Sequence, residues 1–198
     1  MKIGLDLDEV TAEFLDALLD FYHKRTGRLY KKEDFNEYKW WPLWGISKEE
    51  AVRITDEFHE LHNVSDIKPV DMAVNHITSL LGKGDEFFII TARPIRFKQK
   101  VESWLKYHLK TDKICVLHSG DFHLGQAANK SEICKELGIR LMLEDSGETA
   151  MQCADSDINV ILFDKSWNKR FSHKNIYRVN NWNEAINIIN SIKNSFVN

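Results

Sequence analysis

Asp6 and Asp8 stand two residues apart, immediately after the apolar run Ile3-Gly4-Leu5. Residues at that spacing share one face of a strand, and where a strand ends and the chain turns both carboxylates can approach one bound atom. A carboxylate so placed can act as a nucleophile and accept a phosphoryl group. A second carboxylic acid beside it can protonate a departing alkoxide and later deprotonate an attacking water. Glu144 and Asp145 end a second apolar run, Leu141-Met142-Leu143. Four acids converging on one place would repel one another and take up protons unless a cation lay between them. Hard oxygen ligands beside a phosphate favour Mg²⁺, which binds through one or two carboxylates and keeps several waters. Glu144 and Asp145 could equally cap a following helix near 147–155.

Three further residues could complete such a site. Thr91 closes the run Phe87-Phe88-Ile89-Ile90, where its hydroxyl and nearby backbone N–H groups could hold a phosphate oxygen. A Thr in that position also serves as a turn or a helix cap. Lys130, at the start of a helix-like stretch, could neutralise the phosphate and the nucleophile, or it could simply be solvated. Arg93 could contact substrate or pair with an acid.

The elements that must position these groups follow from the apolar pattern. Strand-like runs recur at Ile3–Leu5, Phe87–Ile90, Ile114–Leu117, Leu141–Leu143 and Val160–Phe163, with helix-like segments between most of them. That alternation predicts a parallel sheet with helices on its faces. Open parallel sheets take their ligands at the carboxyl ends of the strands, where Asp6, Thr91 and Glu144 fall. Helices are predicted over 96–109, over 131–137 with Gly138 as the stop, and over 182–193. The interval from Val10 to about Asn75 breaks the alternation. It holds a helical pattern over 13–25 ended by Gly27, then Tyr38-Lys39-Trp40-Trp41-Pro42-Leu43-Trp44-Gly45, then a capping box Ser47-Lys48-Glu49-Glu50 opening a helix to about Asn63. This is the pattern of a small helical insertion above the sheet.

At 198 residues the chain suits one large domain or one domain with an insertion. A net charge of -3 gives no electrostatic reason to expect a nucleic-acid polymer or an acidic membrane as partner. No apolar stretch is long enough to span a bilayer, and Asp6 and Asp8 interrupt the one N-terminal apolar run, so a cytoplasmic location is expected. Cys115, Cys134 and Cys153 form no CxxC pair and are expected to be buried reduced thiols. His59 and His62, one turn apart on the predicted second helix, are expected on the surface, and His118 could edge a pocket. Gly120–Gly125 has too little order to be read as a phosphate loop.

Taken together, the ordered set Asp6–Val10, Thr91, Lys130 and Glu144-Asp145 resembles the four short motifs of the haloacid-dehalogenase-like phosphatase superfamily. The resemblance runs from residue 3 to about residue 165. It implies a Rossmann-like α/β core (a parallel sheet flanked by helices) with a small helical cap inserted after the first strand. The core would comprise 1–11 and 76–198, the cap 12–75. It also implies that Asp6 is the nucleophile and a Mg²⁺ ligand, and that Asp8 is general acid then base with its backbone carbonyl on the metal. Thr91 would bind phosphate, Lys130 would orient and neutralise it, Asp145 would be the third protein ligand, and Glu144 would support from behind.

Within that superfamily the chain is most similar to the 5'(3')-deoxyribonucleotidase group and its bacterial nucleotidases. Phe14, eight residues after Asp6, and the pair Trp40-Trp41 fall where that group places apolar and aromatic base-contacting residues. Arg93 is counted with them as a substrate contact. A cap of this size also needs bulky side chains for its own core, so Phe14, Trp40, Trp41 and Trp44 have two possible roles. Arg93 stands where the animal enzymes have shorter side chains, and the Lys130-to-Asp145 interval is longer than theirs. The resemblance implies a Mg²⁺-dependent phosphomonoesterase for nucleoside or deoxynucleoside monophosphates acting through an aspartyl-phosphate intermediate, and these departures weaken any claim of deoxy or pyrimidine preference. The same chemistry on a sugar phosphate, and a non-catalytic nucleotide-binding protein, are the alternatives. Nothing marks an interface, although homodimers are common among such enzymes.

Overall fold

Continuous apolar runs of four to six residues make strands that are buried on both faces, and these runs form the middle of the molecule. The computed structural model describes residues 1–121, 126–127 and 129–195. In chain order the elements are β1 (Lys2–Leu5), α1 (Phe14–Thr26), α2 (Trp41–Trp44), α3 (Lys48–Leu61), α4 (Ala73–Gly82), β2 (Glu86–Thr91), α5 (Lys98–Leu109) and β3 (Cys115–His118). There follow a short hairpin of β4 (Gly120–Asp121) and β5 (Gln126–Ala127), then α6 (Lys130–Leu137), β6 (Leu141–Glu144), α7 (Gly147–Asp155), β7 (Asn159–Phe163), β8 (Ile176–Val179) and α8 (Trp182–Ser195). The Gly120–Gly125 stretch lies partly outside the described residues.

Six strands form one parallel sheet in the order β3-β2-β1-β6-β7-β8. The chain runs outward from β1 in one direction, then returns to lay β6 on the other side of it. The crevice beyond β1 is therefore the switch point of an open α/β sheet, the place where such sheets bind ligands. Alternation along each strand feeds two cores. Ile3, Leu5, Phe87, Ile89, Leu141, Leu143, Ile161 and Phe163 pack with Ile77, Val101, Trp104, Trp182 and Ile189 of α4, α5 and α8. Ile90, Met142, Val160 and Leu162 face Cys134, Ala150 and Cys153 of α6 and α7. At Gly4 a β-carbon would stand 2.6 Å from the Met142 sulfur, so a glycine in β1 lets that side chain fill the second core.

The parallel sheet with flanking helices and an inserted helical cap is the architecture expected from the sequence. Gly27 and Gly138 end their helices at φ 73° and 68°, as their positions predict. Ser47 caps α3 by accepting the Glu50 N–H at 3.1 Å. The insertion's entry and exit meet at an Ala12–Pro69 bridge, with Glu13 N–H donating to Lys68 O at 2.8 Å and Val70 N–H to Thr11 O at 2.9 Å. The expected cap boundary at 75 thus falls inside α4, which packs on α5 and α8. The cap's interior is continuous with the first core, through Leu15, Leu18, Tyr22, Trp44, Ile54 and Phe58.

Two placements correct the sequence reading. Cys115 is exposed, because β3 is an edge strand, while Cys134 and Cys153 are buried. His59 in α3 and His62 just after it are buried, 1% and 7% exposed, and both rings pack against Phe58. Among the described residues, no helix is long and apolar enough to cross a membrane.

Candidate active site

Four groups singled out in the sequence arrive at one crevice from four separate elements. Asp6 follows β1 and continues its ladder, its N–H donating to Leu143 O at 2.9 Å. The chain then turns tightly: Thr11 and Ala12 N–H both return to Leu7 O, and the Thr11 hydroxyl donates to Asp6 O at 2.8 Å. Glu9 sits in that turn at φ 60°, a conformation costly for a residue with a side chain. Its carboxylate accepts the Leu15 N–H at 2.8 Å, capping α1 in place of Glu13, and lies 2.9 Å from Lys32 of the cap and 3.6 Å from Lys165 of the core.

Lys130, the first residue of α6, is the centre of the buried charge network. Its ammonium is 2.9 Å from both Asp6 Oδ1 and Glu144 Oε2. Glu144 accepts the N–H groups of Asp145 and Ser146 on its other oxygen, at 3.2 and 3.0 Å. Helix α7 is capped by Ser146, which accepts the Thr149 N–H at 3.3 Å, and not by the two acids before it. Asp145 is held by Trp167 Nε1 on Oδ2 at 3.1 Å and by Asn168 Nδ2 on its backbone carbonyl at 2.7 Å.

Asp6, Glu144 and Asp145 each bring a carboxylate oxygen within 4.8 Å of the other two. Burial and Glu144 push the Asp6 carboxyl up to about 7, against the pull of Lys130. Burial, then Asp6 and Glu144, push Asp145 well above the carboxylate range. Burial works against the charge of Lys130, but Asp6 and Glu144 outweigh it and hold the ammonium above its ordinary value. Three carboxylates and one ammonium leave two negative charges if all are ionised. Oδ1 of Asp145 is buried without a hydrogen-bond partner, a costly state for a carboxylate oxygen. A divalent cation fits both facts, and these buried carboxylates could hold one.

Asp8 and Thr91 complete the polar floor. Burial raises the Asp8 carboxyl, while Arg93 opposes the rise with a two-pronged contact, Nη2 to Oδ1 at 2.5 Å and Nε to Oδ2 at 3.1 Å. Arg93 is thus paired with an acid of the site itself. Thr91 ends β2, fully buried, and its hydroxyl accepts the Arg93 N–H at 3.1 Å. His118 lies at the end of β3, its Nδ1 donating to Arg93 O at 2.8 Å.

Above this floor is a cleft of roughly 750 Å³ including its mouth. Asp6, Asp8 and Asp145 line its base, and Phe14, Phe35, Tyr38, Trp40, Thr55 and His59 line its cap side. The ring of His59 stacks on Phe14, 5.4 Å between centroids. Burial and the carboxylates, Asp145 foremost, push the Tyr38 phenol well above its usual range, so it faces them as a neutral group. The cap tryptophans separate by position. Trp40 lines the cleft, Trp41 meets Trp40 edge-on at 6.2 Å from outside the wall, and Trp44 stacks on Tyr22 at 3.9 Å in the cap core.

Several of these residues were not singled out by sequence. Thr55 lies four residues before His59, which the sequence reading placed on the surface; their shared face of α3 was the available signal. Trp167 and Asn168 lie in a single turn after β7, with no motif to mark them. Glu9 was read only as part of the Asp6–Val10 run.

Comparison with known proteins agrees with this architecture. The sequence model of the family described as "5' nucleotidase, deoxy (Pyrimidine), cytosolic type C protein" matches residues 1–195. A Bacillus subtilis protein named "Putative nucleotidase YqfW" is 26% identical over 100% of this chain and 97% of its own. The crystal structure titled as a predicted phosphatase from Clostridium acetobutylicum superposes with a TM-score of 0.68 at 15% identity, covering 96% of this chain and 98% of that one. A haloacid-dehalogenase-like family hydrolase from Streptococcus pneumoniae superposes at 0.63 and 12% identity, covering 95% and 97%.

Proposed function

The chain belongs to the cytosolic type C family of 5' nucleotidases, within the haloacid-dehalogenase-like hydrolases, and from that premise we propose a specific activity. It is a Mg²⁺-dependent phosphomonoesterase that hydrolyses nucleoside or deoxynucleoside monophosphates through an aspartyl-phosphate on Asp6. The observation that carries the reading is the pairing of a buried carboxylate–lysine floor with an aromatic wall across one cleft. The relative named a nucleotidase supports it.

On this reading Asp6 attacks phosphorus, its carboxylate oriented by the Leu7 N–H at 2.8 Å and by Lys130. Asp8 gives its proton to the leaving ester oxygen, then takes one from the water that hydrolyses the aspartyl-phosphate. Thr91 and Lys130 hold phosphoryl oxygens. Asp6, the Asp8 carbonyl and Asp145, with Glu144 behind them, would hold Mg²⁺, which when bound would supply positive charge against the transferring group. Phe14 and Trp40 stack on the base, and their rings separate it from water. Trp41 supports Trp40, and Arg93 borders the site from the Thr91 side.

The test is phosphate release with Mg²⁺ across nucleoside monophosphates, sugar phosphates and p-nitrophenyl phosphate, beside Asp6→Asn. Nucleotide-selective release that disappears in the variant is the expected result. Selective release from sugar phosphates would remove the nucleotidase reading and keep the chemistry. Nucleotide binding without any release would assign the chain a non-catalytic role.

A further inference from the structure

Arg93 is the least expected member of the site, and four contacts fix it. Its guanidinium lies 5.2 Å from the Phe14 ring centroid, and both ends of its fork reach Asp8. Its backbone N–H is held by Thr91 and its carbonyl by His118. The side chain is only 4% exposed. A planar fork on a planar carboxylate fixes the plane of that carboxylate as well as its position, which a single ammonium cannot do.

We propose that Arg93 is the positioning residue for Asp8, orienting the carboxyl group that serves the leaving oxygen and then the attacking water. This rests on the reading of Asp8 as general acid and base. Asp8 lies in the tight turn after β1 and Arg93 in the turn after β2, so the contact locks the acid–base turn to the phosphate-binding turn of Thr91. Proton transfer needs heavy atoms within hydrogen-bond reach, and a misplacement of about 1 Å costs on the order of 100-fold in rate. Through both half-reactions Arg93 stays charged and exchanges no proton; Asp8 alone gives and takes one.

The alternative is that Arg93 grips the substrate phosphate itself, and kinetics separate the two. Single-turnover rates of nucleoside and p-nitrophenol release, which read the first half-reaction alone, and KM are measured with Mg²⁺ for a nucleoside monophosphate and for p-nitrophenyl phosphate, whose leaving group needs little acid. The enzymes are wild type, Arg93→Lys, Arg93→Met, Asp8→Asn and the Arg93→Met/Asp8→Asn double variant. Methionine retains an apolar stem for Phe14. Arg93→Met is expected to slow nucleotide cleavage roughly 10- to 100-fold, with KM within about twofold and a much smaller loss for the aryl ester. Arg93→Lys should recover only a minor part. Adding Arg93→Met to Asp8→Asn should cost no more than about twofold, because the residue acts through the group already removed.

Equal losses on both esters, a KM raised for both alike, or losses that multiply in the double variant would each overturn the proposal. Should Arg93→Met fail to fold, Arg93→Lys keeps the charge and reads the same split between esters. A wild-type protein that releases no phosphate, or an Asp6→Asn variant that still releases it, would remove the role of Asp8, a failure distinct from those above.

Discussion

The two sides of the cleft are built by opposite means. On the core side, Asp6, Thr91, Lys130 and Asp145 come from strand ends or the first turn of a helix, and each is anchored by a charged, backbone or indole partner at about hydrogen-bond distance. On the cap side, Phe14, Phe35 and Trp40 line the cleft from a helix end and two irregular stretches, with the Phe14 ring stacked on His59. The core side fixes charge in three dimensions; the cap side offers shape and apolar area. On the proposed function, the first sets the reaction type and the second the choice of substrate.

Substitutions on the two sides should differ in kind. Asp6→Asn is the largest, with phosphate release falling about 10⁴-fold on nucleotide and aryl esters together. A loss confined to nucleotides would break the division. Lys130→Met comes next, since it leaves Asp6 and Glu144 buried without their cation. Urea unfolding should show a loss of about 3 kcal/mol, with activity reduced on every ester.

Trp40→Ala and His59→Ala should sharpen the contrast from the other side. If each ring contributes the roughly 1–3 kcal/mol of a stacked base, kcat/KM for nucleotides falls about 5- to 150-fold while p-nitrophenyl phosphate changes by no more than about twofold. Equal losses on both would make the rings structural.

A smaller effect separates the sides by pH. Asp6, raised by burial and Glu144 to about 7, binds its proton more tightly in the folded chain than in the unfolded one. Without metal, the stability this group contributes is present below its ordinary value of 3.8 and is lost as pH rises towards about 7. Mg²⁺ needs the deprotonated carboxylates, so its increment to the melting temperature should grow from about pH 5.5 to about pH 7.5. The same titration on Asp145→Asn should show a flatter increment. The smallest effect is Trp41→Ala, expected to alter either activity by no more than about twofold because the residue lies behind the wall.

How far the sequence carried differs between the same two sides. Parallel strands buried on both faces read as apolar runs, so β1, β2, β6 and β7 and the acids at their ends were visible without coordinates. Strand β8 was not, because Ile-Tyr-Arg-Val at a sheet edge is only half buried. Helix α4 is not announced either, since the residue before it is Met72 at φ 61°, which offers no side-chain cap. On the cap side, nothing in Tyr38–Gly45 says which tryptophan faces the cleft; a helix of four residues decides it. The partner of Arg93 lies 85 residues away, beyond the reach of spacing rules.

The shared interior of cap and core has a consequence for how this enzyme can diversify. Leu15, Leu18, Tyr22, Trp44 and Phe58 belong to the same apolar cluster as Ile3 and Leu5. An inserted unit whose filling is an annex of its host's cannot be traded as a cassette, because a foreign cap would arrive with the wrong complement for the host's strands. New selectivity has to be reached one wall residue at a time. Thr55 and His59, one turn apart on α3 and lining the cleft, are positions where a single substitution would change the wall.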